Sequence, residues 1–220
     1  LTAKDNGLLV TKTFLFLPGK YAIHVTQKLT NQSNKTWTGS FYNQIARDKP
    51  DAKHSIFARG AISGGAISSP ETPYHHLTFK AMREQNVSKV IKNGWVAMQQ
   101  HYFLSAWIPA KGTTNQYYSN VNGNRYTLGF VSPAVTLAPG QSAKNQSTFY
   151  VGPEIESNLK VLAPGLALTI NYGWLAPISS LIFIVMNAIH TLVGNWGWSI
   201  ILVTILIKLL LYYPSSISYK

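Results

Sequence analysis

From Leu8 to about Tyr150 apolar and polar positions alternate in short runs, broken every few residues by Gly, Pro or Asn, and hold no long helical period. Runs of this kind, rich in Val, Ile, Thr, Tyr and Phe, predict strands. Thr11 to Leu17 and Tyr21 to Leu29 flank Pro18-Gly19, a pair that fixes a tight turn, and Tyr21, Ile23, Val25 and Gln27 fall on one face. Further strands are expected over Thr36 to Ile45, Leu77 to Ala81, Trp95 to Ser105, Gln116 to Ser119, Tyr126 to Val131, Ala134 to Leu137 and Ser142 to Val151. Strands at this spacing predict a β-sandwich. Arg47 to Ser69, with Gly60, Gly64, Gly65 and several Ser, reads as loop or irregular strand. Ile155, Leu159 and Leu162 recur at helical spacing, so a short helix over Glu156 to Ala163 is expected, ended by Pro164-Gly165.

Beyond that point the pattern changes. Tyr172 to Leu192 is apolar and long enough to cross a bilayer, which takes about 20 residues. Yet Ser180, Asn187 and Thr191, with His190 beside them, would form a narrow polar stripe opposite Leu181, Ile184, Val185, Ala188 and Leu192. A helix that starts near Pro177, is flanked by Tyr172 and Trp174 and carries such a stripe reads as lying in the interface rather than spanning; the absence of Lys and Arg on the stripe speaks for spanning. Trp196 to Tyr213 predicts a transmembrane helix. Ser199 to Ile207 is almost wholly aliphatic, Trp196 and Trp198 anchor one boundary, Tyr212 and Tyr213 the other, and Pro214 is expected to end the helix.

Charge sharpens this division. Lys and Arg number 19 against 7 Asp and Glu, a net +12, while charged residues make up only 12% of the 220-residue chain, about half the ~25% of soluble domains. Every acidic residue lies at or before Glu156, and the 47 residues from Val161 to Ile207 contain no Asp, Glu, Lys or Arg. The map implies a polar folded region followed by a membrane-embedded one. Only Lys208 and Lys220 carry charge near the second apolar segment, which favours a cytoplasmic C-terminal end and an extracytoplasmic β-region. The chain does not begin with Met and ends soon after the apolar segment, so a piece of a longer protein is expected.

Lys208 is the one ionisable group inside that segment. Such a charge usually faces a bundle interior or a wet cavity, or else snorkels along its stem to the interface. Thr204, one turn earlier, shares its face and favours a hydrophilic groove. In the β-region the groups to weigh for catalysis are His24, His54, His75, His76, His101 and Glu154. His75 and His76 are adjacent, so on a strand they point apart and cannot share a metal. No metal site, cofactor site, phosphate loop or catalytic constellation is read, and the scattered positive charges do not make a nucleic-acid surface. Trp95, Tyr102, Phe103 and Trp107 alternate as core side chains of a sheet would.

Five separated motifs then carry a resemblance: Gly94-Trp95-Val96-Ala97-Met98-Gln99-Gln100, Ala106-Trp107-Ile108-Pro109, Val151-Gly152-Pro153-Glu154, Asn171-Tyr172-Gly173-Trp174 and Val193-Gly194-Asn195-Trp196-Gly197. In order and spacing, from about Thr11 to Pro214, the chain resembles the YidC/Oxa/Alb family of membrane protein insertases in its Gram-negative branch. The resemblance implies a mainly β chain: a periplasmic β-supersandwich over residues 1–153 lacking its first strands, a closing helix and linker over 154–171, an amphipathic interfacial helix over 172–194, the first transmembrane helix of the insertase core over 195–214, and the start of a cytoplasmic segment at 215–220. It implies a non-enzymatic insertase and membrane chaperone of the bacterial inner membrane, with no cofactor. Lys208, thirteen residues after Asn195, matches the family's single positive residue in a water-filled groove, where many relatives have Arg; Pro214 follows it by six residues rather than five. The implied partners are nascent membrane proteins, membrane lipids, the Sec translocon with SecDF and YajC, and the ribosome through parts that this chain lacks. A saccharide- or peptide-binding or docking module anchored by one helix is the alternative.

Overall fold

The computed structural model describes residues 1–48, 63–100, 102–170 and 176–218, with side chains from Ile178 in the third helix and as far as Tyr212 in the last. The chain divides into two compact units, Leu1–Ile170 and Asn171–Lys220.

The first unit is an antiparallel sandwich of fourteen described strands: β1 Thr2–Asp5, β2 Leu8–Phe16, β3 Ala22–Asn31, β4 Trp37–Gly39, β5 Tyr42–Asp48, β6 Ser63–Ile67, β7 His75–Leu77, β8 Ser88–Lys92, β9 Val96–Gln100, β10 Phe103–Pro109, β11 Thr114–Asn122, β12 Arg125–Val131, β13 Val135–Leu137 and β14 Ser142–Pro153. Eight strands form one sheet in the order β1-β2-β3-β14-β10-β9-β6-β7, four form a second in the order β5-β12-β11-β8, and β13 pairs with β4. Between the sheets Val25, Val96, Met98 and Trp107 meet Ile91, Tyr117, Tyr126, Leu128 and Phe130, and the short helix α1, Phe79–Glu84, adds Phe79 and Met82.

The outer face of the large sheet is covered by helix α2, Glu156–Leu162, and a 3-10 turn over Leu166–Thr169. This layer seats because alternate residues of the central strands are small. Ala66, Ala97, Ala106, Tyr150 and Ala22 stand side by side in register across five strands. Leu159 and Leu166 are buried on the shelf this row makes, beside Trp95 and Leu104. The period of two thus sends Val96 and Met98 inward and Ala97 outward.

Several expected elements fall elsewhere. Leu77 to Ala81 is not one strand: β7 ends at Leu77 and the Thr78 hydroxyl accepts from the Ala81 amide, capping α1. Thr36 to Ile45 splits into β4 and β5 in different sheets, and Trp95 to Ser105 into the hairpin partners β9 and β10. Of the stretch read as loop, 49–62 lies outside the described residues, whereas β6 is buried within the large sheet. Its glycines are there for space: a Cβ at Gly64, where φ is +148°, would lie 2.5 Å from the Leu77 carbonyl oxygen. Tyr102 and Phe103, expected in the core, are 69% and 57% exposed, whereas Trp95 and Trp107 are buried.

Candidate functional site

In the second unit α3, Ala176–Val193, and α4, Trp196–Ser218, form a helical hairpin. The connection explains the Gly-Asn pair. Gly194, at φ +69°, donates its amide to the His190 carbonyl at 2.8 Å and closes α3 in the left-handed conformation that glycine tolerates. The Asn195 side-chain oxygen accepts from the amides of Gly197 at 2.8 Å and Trp198 at 3.3 Å, capping α4. Across the turn the His190 ring stacks on Trp196, centroids 3.8 Å apart and planes 10° from parallel.

The hairpin buries little. Ser199 and Val203 are the buried positions of α4, with Ile207 half-buried in the same row. Ser179, Met186, Ile189 and His190 form part of the less exposed face of α3, while Asn187 and Thr191 of the expected polar stripe are exposed and Val185, expected opposite that stripe, is half-buried. Elsewhere Leu181, Ile184, Ile201, Ile205, Leu209 and Leu210 are exposed. Over its described residues the helix pair is thus apolar nearly all round.

Thr204 and Lys208 are both exposed, one turn apart. At 100° per residue they lie about 100° and 140° around α4 from Val203, away from the seam with α3. The Thr204 hydroxyl donates to the Ile200 carbonyl at 2.7 Å, which satisfies its proton on the helix and leaves its oxygen on that face. Among the expected anchors, Trp196, Trp198 and Tyr212 are 47%, 60% and 73% exposed; Trp174 and the Tyr213 side chain lie outside the described residues. Among the described residues no helix is long and apolar enough to cross a membrane. Trp196 to Tyr213 is helical as expected, but a span over it is not shown, and the helix does not end at Pro214: it runs on to Ser218.

Among the described residues of the β unit the candidate histidines do not converge. His24 lies within 3.3 Å of the Thr148 hydroxyl on β3, and His76 is on β7, five strand spacings or about 24 Å away. His75 is exposed, and burial lowers the pKa of His76. His54 and His101 lie outside the described residues. No group of three His, Cys, Asp or Glu able to hold a metal occurs among the described residues. Sequence reasoning missed a polar hub at Gln99: its side-chain amide donates to the Thr169 carbonyl at 2.8 Å, its side-chain oxygen accepts from Tyr74 at 3.0 Å, and Arg47 donates to its backbone carbonyl at 2.7 Å. Glu154 also bonds this side chain; burial pushes its carboxyl up to about 7, against the smaller opposing effect of Gln99. A glutamine amid buried strand residues was the available signal. The hub ties down the segment through which the chain leaves the β unit.

Residues 1–185 match the family model described as the YidC periplasmic domain. The chain belongs to the YidC family. It is 48% identical over 221 residues to a protein of Coxiella burnetii (strain RSA 493 / Nine Mile phase I), 45% over 218 residues to one of Legionella pneumophila (strain Paris) and 40% over 219 to one of Marinobacter nauticus, each named membrane protein insertase YidC. Each alignment takes in 98% of this chain but only 38–39% of the relative, so the chain spans about two fifths of their length. YidC proteins are insertases, not enzymes. Among solved structures, a galactose mutarotase related enzyme from Lactobacillus acidophilus aligns at 9% identity and a TM-score of 0.47, over 69% of this chain and 66% of that one, a level from which nothing is argued.

Proposed function

We propose that the chain is the periplasmic β domain, the interfacial helix and the first core span of a bacterial inner-membrane insertase, with α3 at the membrane surface and α4 crossing the bilayer. The observation that carries this reading is the position of Lys208. It is the first charged residue after Lys160, it is exposed, and it shares a face with Thr204 away from the α3 seam. An ammonium facing hydrocarbon costs several kcal/mol, so that face calls for a hydrated groove whose other walls come from the remainder of the protein.

The action is binding rather than bond-making. A nascent hairpin would place its polar segment against Lys208 and Thr204, where water and the positive charge lower the desolvation cost of polar or acidic groups. The apolar segment then moves sideways into lipid, and burial of its side chains supplies the free energy. Cooperation with the Sec translocon, SecDF, YajC and the ribosome belongs to the same reading, the ribosome through parts beyond this chain.

The test uses the complete protein with a photo-crosslinking residue at Thr204 and a stalled, nascent single-span substrate. A crosslink there supports the groove. Crosslinks confined to the β unit, with none at Thr204, would instead favour a docking module whose last helix is an anchor.

A further inference from the structure

The β unit hides its apolar side chains well except in one region. Segment 15–21 exposes Leu15, Phe16, Leu17 and Tyr21, segment 102–103 exposes Tyr102 and Phe103, and segment 151–168 exposes Val151, Ile155, Val161 and Leu168; among the other described residues of this unit the exposed large apolar ones are Leu1, Val10, Tyr42 and Val90. The fold joins the three segments. The Val151 amide donates to the Tyr21 carbonyl at 3.1 Å, the Glu154 amide to the Tyr102 carbonyl at 2.9 Å, and Phe103 pairs with Pro153. Leu17, Tyr21 and Val161 line one cleft of about 260 Å³, so α2 continues the surface. Phe16, Val151 and Phe103 all lie toward the same end of the large sheet, with Phe16 opposite Ile23 and Phe149 linking Ile23 to Trp107.

The chain leaves the unit at this same end. Gln99, whose neighbour Gln100 pairs with Phe103, holds Thr169, and Ile170 is the last residue of the unit. In the sequence α3 begins six residues further on, at Ala176. Lys20 lines that cleft, and Lys160, next to Val161 on α2, lies within 2.6 Å of Glu156. Tyr and Lys are side chains that settle at the headgroup level, apolar body inward and polar tip in water, and Phe buries its ring at the boundary beneath them.

We propose that this end of the β unit is a lipid-contacting surface, with Phe16, Tyr21, Tyr102 and Phe103 seated in the headgroup region of the bilayer that α3 and α4 occupy. The proposal rests on the reading of α3 and α4 as membrane helices, and the experiment separates the two. The chain has no cysteine. In the complete protein, freed of any other cysteines and reconstituted in vesicles of phosphatidylethanolamine and phosphatidylglycerol, single nitroxide labels are placed by Phe103→Cys, Phe16→Cys, Val90→Cys and Ile201→Cys. Collision with oxygen, which partitions into lipid, is compared with collision with a water-soluble nickel chelate. The labels at 103 and 16 are expected to favour oxygen several-fold over the label at 90, and the label at 201 more strongly still. Lipid access at 201 with water access at both 103 and 16 overturns the docking surface and leaves the membrane helices standing. Shielding of 103 and 16 from both reagents also overturns it, because protein rather than lipid then covers the surface. Water access at 201 overturns the underlying reading, and the docking surface with it.

Discussion

The two units solve opposite solvent problems with similar side chains. In the β unit Trp95, Tyr117, Leu104 and Leu128 are withdrawn from water between two sheets and beneath α2, while in the helix pair Ile201, Leu209 and Leu210 are displayed. The unit built for water needs alternation, a second layer and a shelf of alanines to receive it. The helix pair has its backbone satisfied within each helix and a seam narrow enough for Ser199 and Val203. Burial is thus a property of the medium as much as of the residue, and substitutions at matched apolar positions should have unequal effects.

The largest effect is expected at Trp95, which is buried against the alanine shelf and donates its indole N–H to the Pro164 carbonyl at 2.9 Å. Trp95→Ala should cost the β unit about 3–5 kcal/mol, read from the denaturant midpoint of its strand signal by circular dichroism, whereas Ile201→Ala should leave that midpoint in place. Equal shifts from both would erase the distinction between the units. Next comes the charge in the lipid-matched helix: Lys208→Leu should impair insertion of at least some substrates in cells depleted of the native insertase, and Lys208→Arg should preserve it. Normal insertion by the Leu variant would reduce Lys208 to a snorkelling side chain.

A smaller effect is expected at the hairpin turn. Asn195→Ala removes the cap of α4 and should cost about 1 kcal/mol, seen as a roughly five-fold faster amide exchange at Gly197 and Trp198; unchanged exchange would mean that packing alone holds the turn. The smallest is at Glu154. Its folded pKa of about 7 lies above its ordinary value of 4.5, so the folded state binds more protons between these limits. Its contribution is most favourable below about 4.5 and is lost as pH rises through 7. Glu154→Gln should therefore melt about 2–4 °C above the parent at pH 8 and level with it at pH 4. A gap of the same size at both pH values would show that the carboxyl does not carry its proton into the fold.

Much of the architecture was legible wherever turn chemistry and periodicity agreed. Pro18-Gly19 marks the β2–β3 turn, Pro164-Gly165 ends the segment begun by α2, and Gly194-Asn195 closes the hairpin. The misses share a cause: tertiary packing overrode a local signal. In β8 Ile91 is the one buried residue, in a strand whose ends are charged or polar, so it offered no alternation to read. The Gly64-Gly65 pair looked like loop but serves close approach of β7 and Leu128. Phe103 has the parity of the half-buried Ser105 and the core residue Trp107 on its strand and yet is exposed, because strand period reports the face and not whether anything lies above it. Lys208 and Thr204 were legible as a shared helix face, whereas the Gln99 hub, built from β5, β9, Tyr74 and the 3-10 turn, depends on contacts distant in sequence.

That hub also decides how force would travel through the molecule. Tension applied at Ile170 meets first the two side-chain bonds from Trp95 and Gln99 to the closing segment. These are single, local attachments that give way one at a time. Behind them the load passes along α2 to β14, which pairs with β10 over residues 147–153 and with β3 over 142–150. A pull along that strand loads these ladders in shear, many bonds at once. The closing segment is thus the weaker attachment in this unit and the β14 ladders the stronger.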